Sequence, residues 1–289
     1  MEIVAIVKSL TEIEELLALG ANTLVFESDR FSRSAVLPLN KDKLISAINT
    51  TKAKPAKVYI RLNTIIKESD LDELKVLLDE ILEAEPDGIV FHDLTIGVIL
   101  NKMGHPEKGI YQPGTFNTHK QSLTFLSDLK IERATISKEI TMDKLVNLIK
   151  NNPRFKLSLI GHGSIDMFYS NRKMLSLYHE YKGLAYESDA KYQIAEKSRH
   201  TEFYPLIEDQ SGTSIFRPKK LHSFKVIDTF KALLFEFFIE RNQMTDTEYY
   251  QAIKAYASGD YFDFLRQYND EYDDGVFTDE TFLRKGEAK

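Results

Sequence analysis

The sequence predicts an α/β fold of the (β/α)8 TIM-barrel type, and three observations carry the prediction. Eight short β-branched or aromatic runs recur along the 289 residues. Amphipathic helical patterns separate them, and the runs are near-continuously apolar, as parallel strands covered on both faces require. The first run is Ile3–Val7. Ser9 with Glu12 then forms a capping box, Ile13, Leu16 and Leu17 supply an apolar stripe, and Gly20 ends the helix. Thr23–Glu27 and Val58–Asn63 follow as strands. Ser69 with Asp72 opens a helix carrying Leu74, Leu77, Leu78 and Leu82 on one face. Gly88–Asp93, Gly109–Gln112 and Ala134–Ser137 are the next strands, and a helix from near Thr141 buries Leu145, Val146, Leu148 and Ile149. Lys156–Gly161 and Leu233–Glu240 complete the eight. A doubly wound open sheet is the alternative, but no Gly-x-Gly-x-x-Gly follows the first strand, so its dinucleotide-binding form has no support.

The spacing breaks once. About 70 residues separate the seventh strand from the eighth. Within that stretch Glu202–Phe216 places two apolar runs around Asp-Gln-Ser-Gly, the pattern of a β-hairpin. The chain therefore reads as one barrel domain over 1–289, with an insertion at 165–230 and an acidic C-terminal tail at 269–289. Long insertions at the C-terminal face of a barrel are where lids and binding elements sit.

Composition narrows the function. There is no cysteine, which removes disulfides, thiol nucleophiles and cysteine-held clusters together. No window approaches the ~18 apolar residues of a membrane span, and the opening Met-Glu-Ile-Val-Ala-Ile-Val-Lys lacks a basic leader. A cytoplasmic location with no membrane partner is expected. The net charge is −6, yet Arg154 to Lys231 holds 13 Lys/Arg against 9 Asp/Glu. That middle section either meets a polyanion or is ordinary scatter on a solvated face.

Barrels gather their chemistry where strands end. The strand ends give Glu27, Asn63, His92 with Asp93, Gln112, Glu139 and His162, together with Glu236, Glu240 and Arg241 around the last strand. Asn63, His92, Glu139 and His162 are the expected catalytic group, lining one common cavity. Glu139 and His162, on neighbouring strands, make the most attractive acid/base pair, with a structural link as the plainer reading. Hydrolase signatures are missing: there is no His-Glu-x-x-His, and Gly161–Ile165 places its serine one position late for Gly-x-Ser-x-Gly. No spacing singles out three metal ligands, so neither a metal nor a cofactor is expected.

Ser158–Ser176, reading Ser-Leu-Ile-Gly-His-Gly-Ser-Ile-Asp-Met-Phe-Tyr-Ser-Asn-Arg-Lys-Met-Leu-Ser, resembles the signature of peptidase family U32. Gly163, Ser164, Ile165, Leu175 and Ser176 fit it, and His162 stands at the family's usual His-Gly. Ser158, Ile160, Asp166, Asn171 and Lys173 depart from it. Arg30-Phe31-Ser32, Lys57–Thr64, Ser137–Thr141 and Asp274–Thr278 resemble further family segments in order and spacing. The resemblance implies a barrel. It also implies either peptidase activity, the family's founding label, or a role in hydroxylation of tRNA wobble uridine or a quinone ring. Several members of the family hold an iron–sulfur cluster on cysteines. Here two of those positions are Asp166 and Lys173, and a lysine cannot replace a thiolate on iron. The likeness is to the short, cysteine-free type that in Firmicutes stands beside a longer, cysteine-bearing paralogue.

Three readings follow from that likeness. The first is a subunit of a tRNA 5-hydroxyuridine system acting at wobble position 34, with tRNA and a cysteine-bearing U32 paralogue as partners. The second is a U32-type peptidase, and the third a non-catalytic barrel scaffold. The eighth strand has Phe235-Glu-Phe-Phe-Ile-Glu-Arg241 where the family shows Lys-Ile-Glu-Gly-Arg, so Phe235, Phe237, Phe238 and Tyr249–Tyr250 offer either a partner patch or core. For RNA, Arg172, Lys173, Arg199, Arg217, Lys219 and Lys220 would form a basic rim. Tyr178, Tyr181 and Phe203 would stack bases unless they pack under the hairpin.

Overall fold

The computed structural model describes residues 1–188 and 190–278, and of Arg199 the backbone alone. Eight parallel strands close into a barrel: β1 (Glu2–Ile6), β2 (Thr23–Ser28), β3 (Lys57–Leu62), β4 (Gly88–Phe91), β5 (Gly109–Tyr111), β6 (Arg133–Ile136), β7 (Lys156–His162) and β8 (Glu236–Ile239), with β1 paired to both β2 and β8. Helices α1 (Ile13–Ala18), α2 (Lys41–Lys52), α3 (Leu71–Glu83), α4 (Leu94–Lys102), α5 (Lys120–Asp128) and α6 (Met142–Lys150) cover the outside of the first six connections. The Ser9–Glu12 capping box forms as expected. The helix expected from Ser69 instead starts at Leu71, after a 3-10 turn in which Asp70 accepts the Lys67 N–H and the Ser69 hydroxyl.

Strand alternation sorts the side chains. On β3, Tyr59 and Arg61 point into the barrel while Val58, Ile60 and Leu62 face the helices. On β8, Glu236 and Phe238 point inward and Phe237 packs outward on Tyr256. The N-terminal end is plugged by polar groups that satisfy one another. The Tyr59 hydroxyl donates to Glu236, Arg133 reaches both, and Ser158 Oγ donates to Glu236 Oε2 at 3.0 Å. Gly88 makes this possible, since a Cβ there would lie 2.6 Å from Ile110 and 3.0 Å from the Tyr59 ring. Glu236 therefore belongs to the closed floor, away from the mouth.

Between β7 and β8 the chain builds a second, antiparallel sheet in the order Tyr192–Glu196, Arg199–Asp209, Gly212–Phe216, Asp166–Ser170. Its hairpin turns at Gln210–Ser211, with Gly212 at φ +134°. Helix α7 (Met174–Lys182) lies against one face of this sheet, with Glu208 capping its first turn through the Leu175 and Ser176 N–H groups. After α8 (Ile227–Phe230), α9 (Asp246–Ser258) and α10 (Phe262–Tyr268), the chain returns as a short strand, Tyr272–Asp273, on Lys220–Leu221. The first part of the expected tail thus supplies core, with Tyr272 3% and Phe277 2% exposed. Residues 279–289 of that tail lie outside the described residues.

Two glycines set the approach of the second sheet to the mouth. Gly161 is the extra residue of a β-bulge: Ile160 pairs with Phe238 and His162 with Ile239, so the strand changes face between them. Gly163 has φ +103°, and a Cβ there would overlap the Glu240 carbonyl. Gly163→Ala is expected to lower stability by about 1–3 kcal/mol, from positive φ and overpacking combined. Urea unfolding checks this, and an unchanged midpoint would show that the crossing is looser than drawn.

Candidate functional site

At the C-terminal mouth, strand ends and the second sheet enclose a cavity of about 50 Å³, lined by Arg33, Arg61, Asn63, Gln112, Lys138, Asp166 and Glu240 among others. Small-molecule pockets typically measure 300–1,000 Å³, so this one holds little beyond water until its wall opens. The wall consists of Ile165 and, from the second sheet, Ser214 and Phe216.

Two charge clusters organise the mouth. In the first, Arg61 donates to Glu240 with both arms, at 2.9 and 2.7 Å, and stands 3.6 Å from Glu27. Burial pushes the Glu27 carboxyl up to about 7. Arg61 and the Val36 N–H work the other way, and Glu240 and Asp209 add to the rise. In the second cluster, Asp166 accepts from Arg33 at 2.7 Å and from Lys138 at 2.8 Å. Burial works to raise the Asp166 carboxyl, but the charges of Lys138 and Arg33 outweigh it and hold the group below the ordinary carboxylate range. Arg33 also stacks over Tyr169, 4.4 Å from the ring centroid, and its backbone N–H donates to Asn63 Oδ1 at 2.9 Å. Lining cations thus outnumber lining carboxylates by one, with Glu27 titrating behind them.

The four expected catalytic residues divide. Asn63 lines the cavity. His92 sits at the same rim, half-buried, its pKa lowered by burial and by Arg33, and its Nδ1 is buried without a partner. Gln112 Nε2 and Arg61 Nε are likewise buried and unpartnered. Glu139 is exposed, with its N–H donating to Ser137 Oγ, and Lys138 turns inward in its place. His162 lies outside the barrel in an aromatic box, 5.0 Å from Tyr272, 5.2 Å from Phe264 and 5.4 Å from Tyr256 between ring centroids. The bulge at Gly161 turns it there. Burial, then His222 and Lys220, hold the imidazole neutral. Glu139 and His162 therefore do not meet. His162→Phe is expected to change stability by less than about 1.5 kcal/mol and to leave function intact. Loss of function in a well-folded His162→Phe protein would return the residue to the reacting centre.

Asp93 accepts from Thr95 N and Ile66 N, capping α4 instead of orienting His92. Arg241 is buried on Glu12 and Asp246. Glu236, on the floor, has no reach to Glu139, so the facing carboxylate pair that aspartyl chemistry would need is not formed by those two. Phe237 and Phe238 are core, each 0% exposed. Arg33, Arg61, Lys138 and Asp166 are site residues the sequence reading passed over. Arg61 was accessible to it, since it lies two residues before Asn63 on the same strand face.

The expected basic rim is also divided. Arg217 is tied to both oxygens of Asp273, and Lys220 is buried between Glu248 at 2.5 Å and Glu271 at 2.8 Å. Arg172, Lys173 and Lys219 are exposed, and the Arg199 side chain lies outside the described residues. The two signature positions do not suit an iron–sulfur cluster. Asp166 is committed to two cations, and Lys173 stands exposed at the head of α7. Among the described residues no group of three His, Asp or Glu is arranged to hold a metal, and no helix is long and apolar enough to cross a membrane.

Comparison with known proteins places this geometry. A model of peptidase family U32 matches residues 8–273. The tRNA hydroxylation protein P2 of Bacillus subtilis is 25% identical over 215 residues, 73% of this chain and 69% of that protein. An uncharacterized protease of Methanocaldococcus jannaschii is 24% identical over 82% of this chain and 63% of its own length. The tRNA hydroxylation protein P of Escherichia coli is 21% identical over 71% of this chain and 55% of its own. The chain thus spans less than two thirds of the latter two. A solved U32 peptidase structure superposes with a TM-score of 0.53 at 11% identity, covering 83% of this chain and 92% of that one, which shows the shared fold.

Proposed function

The chain belongs to peptidase family U32, and from that premise we propose that it is a cytoplasmic subunit of a system that hydroxylates tRNA uridine at wobble position 34. One observation carries this over proteolysis: among the described residues, the mouth contains no nucleophile held by a base and no free pair of carboxylates. Glu27 and Glu240 share Arg61, and Asp166 is spent on Arg33 and Lys138. What the mouth offers is cationic donors around a small polar space. Among its donors, Gln112 Nε2 and Arg61 Nε are buried without a partner and suit a polarised pyrimidine carbonyl, with Asn63 lining the same space. A base enters only once the wall of Ile165 and Phe216 gives way.

Names among the relatives support the tRNA reading, and the lack of cysteine fits a division of labour in which a cysteine-bearing paralogue carries the redox centre. The second reading, a peptidase, draws on the family label and on one relative's name. Mass spectrometry of tRNA nucleosides from a deletion strain separates the two. Loss of 5-hydroxyuridine derivatives at position 34, restored by the wild-type gene, is the expected result. An unchanged nucleoside profile overturns the proposal.

A further inference from the structure

The mouth uses one face of the second sheet, and the opposite face carries an open aromatic groove. The strand Asp166–Ser170 alternates across the sheet. Tyr169 turns to Arg33 at the mouth, while Phe168 turns away toward α7. Phe168, Arg172, Met174, Leu177, Tyr178 and Tyr181 line a groove of about 500 Å³ there. These large side chains are held out in water: Tyr181 is 82% exposed and Tyr178 55%. Single exposed apolar residues need no explanation, but a contiguous set does.

The charge beside the groove says what would cover it. Lys182 Nζ stands 5.4 Å from the Tyr181 ring centroid and 6.0 Å from that of Tyr178. Arg172 lies in the groove, Lys173 heads the same helix, and Glu180 is the one acid on α7, in a protein whose net charge is −6. Aromatic faces interleaved with cations fit unpaired bases on a phosphate backbone. Arg217, Lys219 and Lys220 are on another part of the insertion, and two of them are already paired.

We propose that this groove between Phe168 and α7 binds unpaired nucleotides of an RNA loop, stacking bases on Tyr178 and Tyr181 while Arg172 and Lys182 meet the phosphates. The proposal rests on the tRNA reading above and assigns it a docking surface. A nucleotide held there lies one sheet thickness from the mouth, with the strand 166–170 contributing to both.

The test titrates a labelled anticodon stem-loop into the full-length chain at several salt concentrations, with the same stem closed by a tight loop as comparison. Tyr178→Ala/Tyr181→Ala is expected to weaken binding of the open loop at least about tenfold and the tight loop much less. Arg172→Ala/Lys182→Ala is expected to lower the slope of log K against log salt by about 1.4. All four side chains are at the surface, so melting curves should match wild type. Unchanged affinity and slope in both variants overturn the proposal. So does loss of association with the cysteine-bearing paralogue at unchanged RNA affinity, which would make the groove a protein interface. Wobble nucleosides keep this apart from the function itself. If deletion abolishes 5-hydroxyuridine while the Tyr178→Ala/Tyr181→Ala strain keeps it in full with normal binding, the groove alone is wrong.

Discussion

Arg61→Met is expected to destabilise the chain by about 3–5 kcal/mol at pH 7, a large part of the 5–15 kcal/mol that holds a typical domain. The guanidinium sits 3% exposed inside the barrel, bonded twice to Glu240 and 3.6 Å from Glu27. Removing it leaves two carboxyl groups in a space where neither can reach bulk water. Burial of an unpaired charge, more than loss of the pair itself, sets the magnitude. Arg61→Lys would recover little, because an ammonium cannot make both bonds to Glu240 in one plane. Replacing all three groups together by apolar residues of similar size should recover most of the stability and abolish function, which separates folding from chemistry. Urea unfolding of the single and triple variants decides it: a single-variant loss under about 1 kcal/mol would mean that the cluster is solvated.

The barrel was legible because each strand announces itself. Runs such as Ile3–Val7 and Thr23–Glu27 are apolar on both faces, and only a sheet covered on both sides uses that pattern. Strand ends were legible too: Asn63, Gln112 and Glu240 do meet at the mouth, and His92 stands near enough to feel Arg33 and Asp166. What failed was parity. His162 follows Ile160 by two positions, which in a regular strand keeps it on the inner face. The bulge at Gly161 reverses that, and a glycine in a strand signals a bulge without proving one. Arg33 lay out of reach for a different reason. It sits on an irregular loop after β2, where no period predicts direction, and it finds Asp166 across 133 residues of chain. Asp166 itself stood in view as a departure from the family signature, and the structure supplies its meaning as an anion held between Arg33 and Lys138. Long-range ion pairs leave no local pattern. The charge lies on Lys138, one position from Glu139, where local pattern gives no sign of it.

Glu27 should make stability depend on pH in a direction opposite to most carboxylates. Its folded pKa is raised to about 7, against an ordinary value of 4.5, because burial disfavours the charged form. The folded state therefore keeps a proton that the unfolded chain releases. The sign follows from that difference. The stability contributed by Glu27 is fully present below about pH 4.5 and is lost as pH rises through about 7, amounting to about 3 kcal/mol across the window. His92, His162 and His222 pull the other way. Each has its pKa lowered by burial, so each costs stability as pH falls below the ordinary histidine range. The raw stability curve mixes these opposing terms, and the informative quantity is the difference between wild type and Glu27→Gln. The amide keeps an oxygen for the Val36 N–H and, like the protonated carboxyl, carries no charge toward Arg61. Relative to the variant, wild type should therefore lose about 3 kcal/mol between pH 4.5 and pH 8, with half of the change complete near pH 6 and little left above about 7. Urea unfolding at half-unit steps over that range measures it. Parallel curves would show that Glu27 is ionised and solvated in the fold.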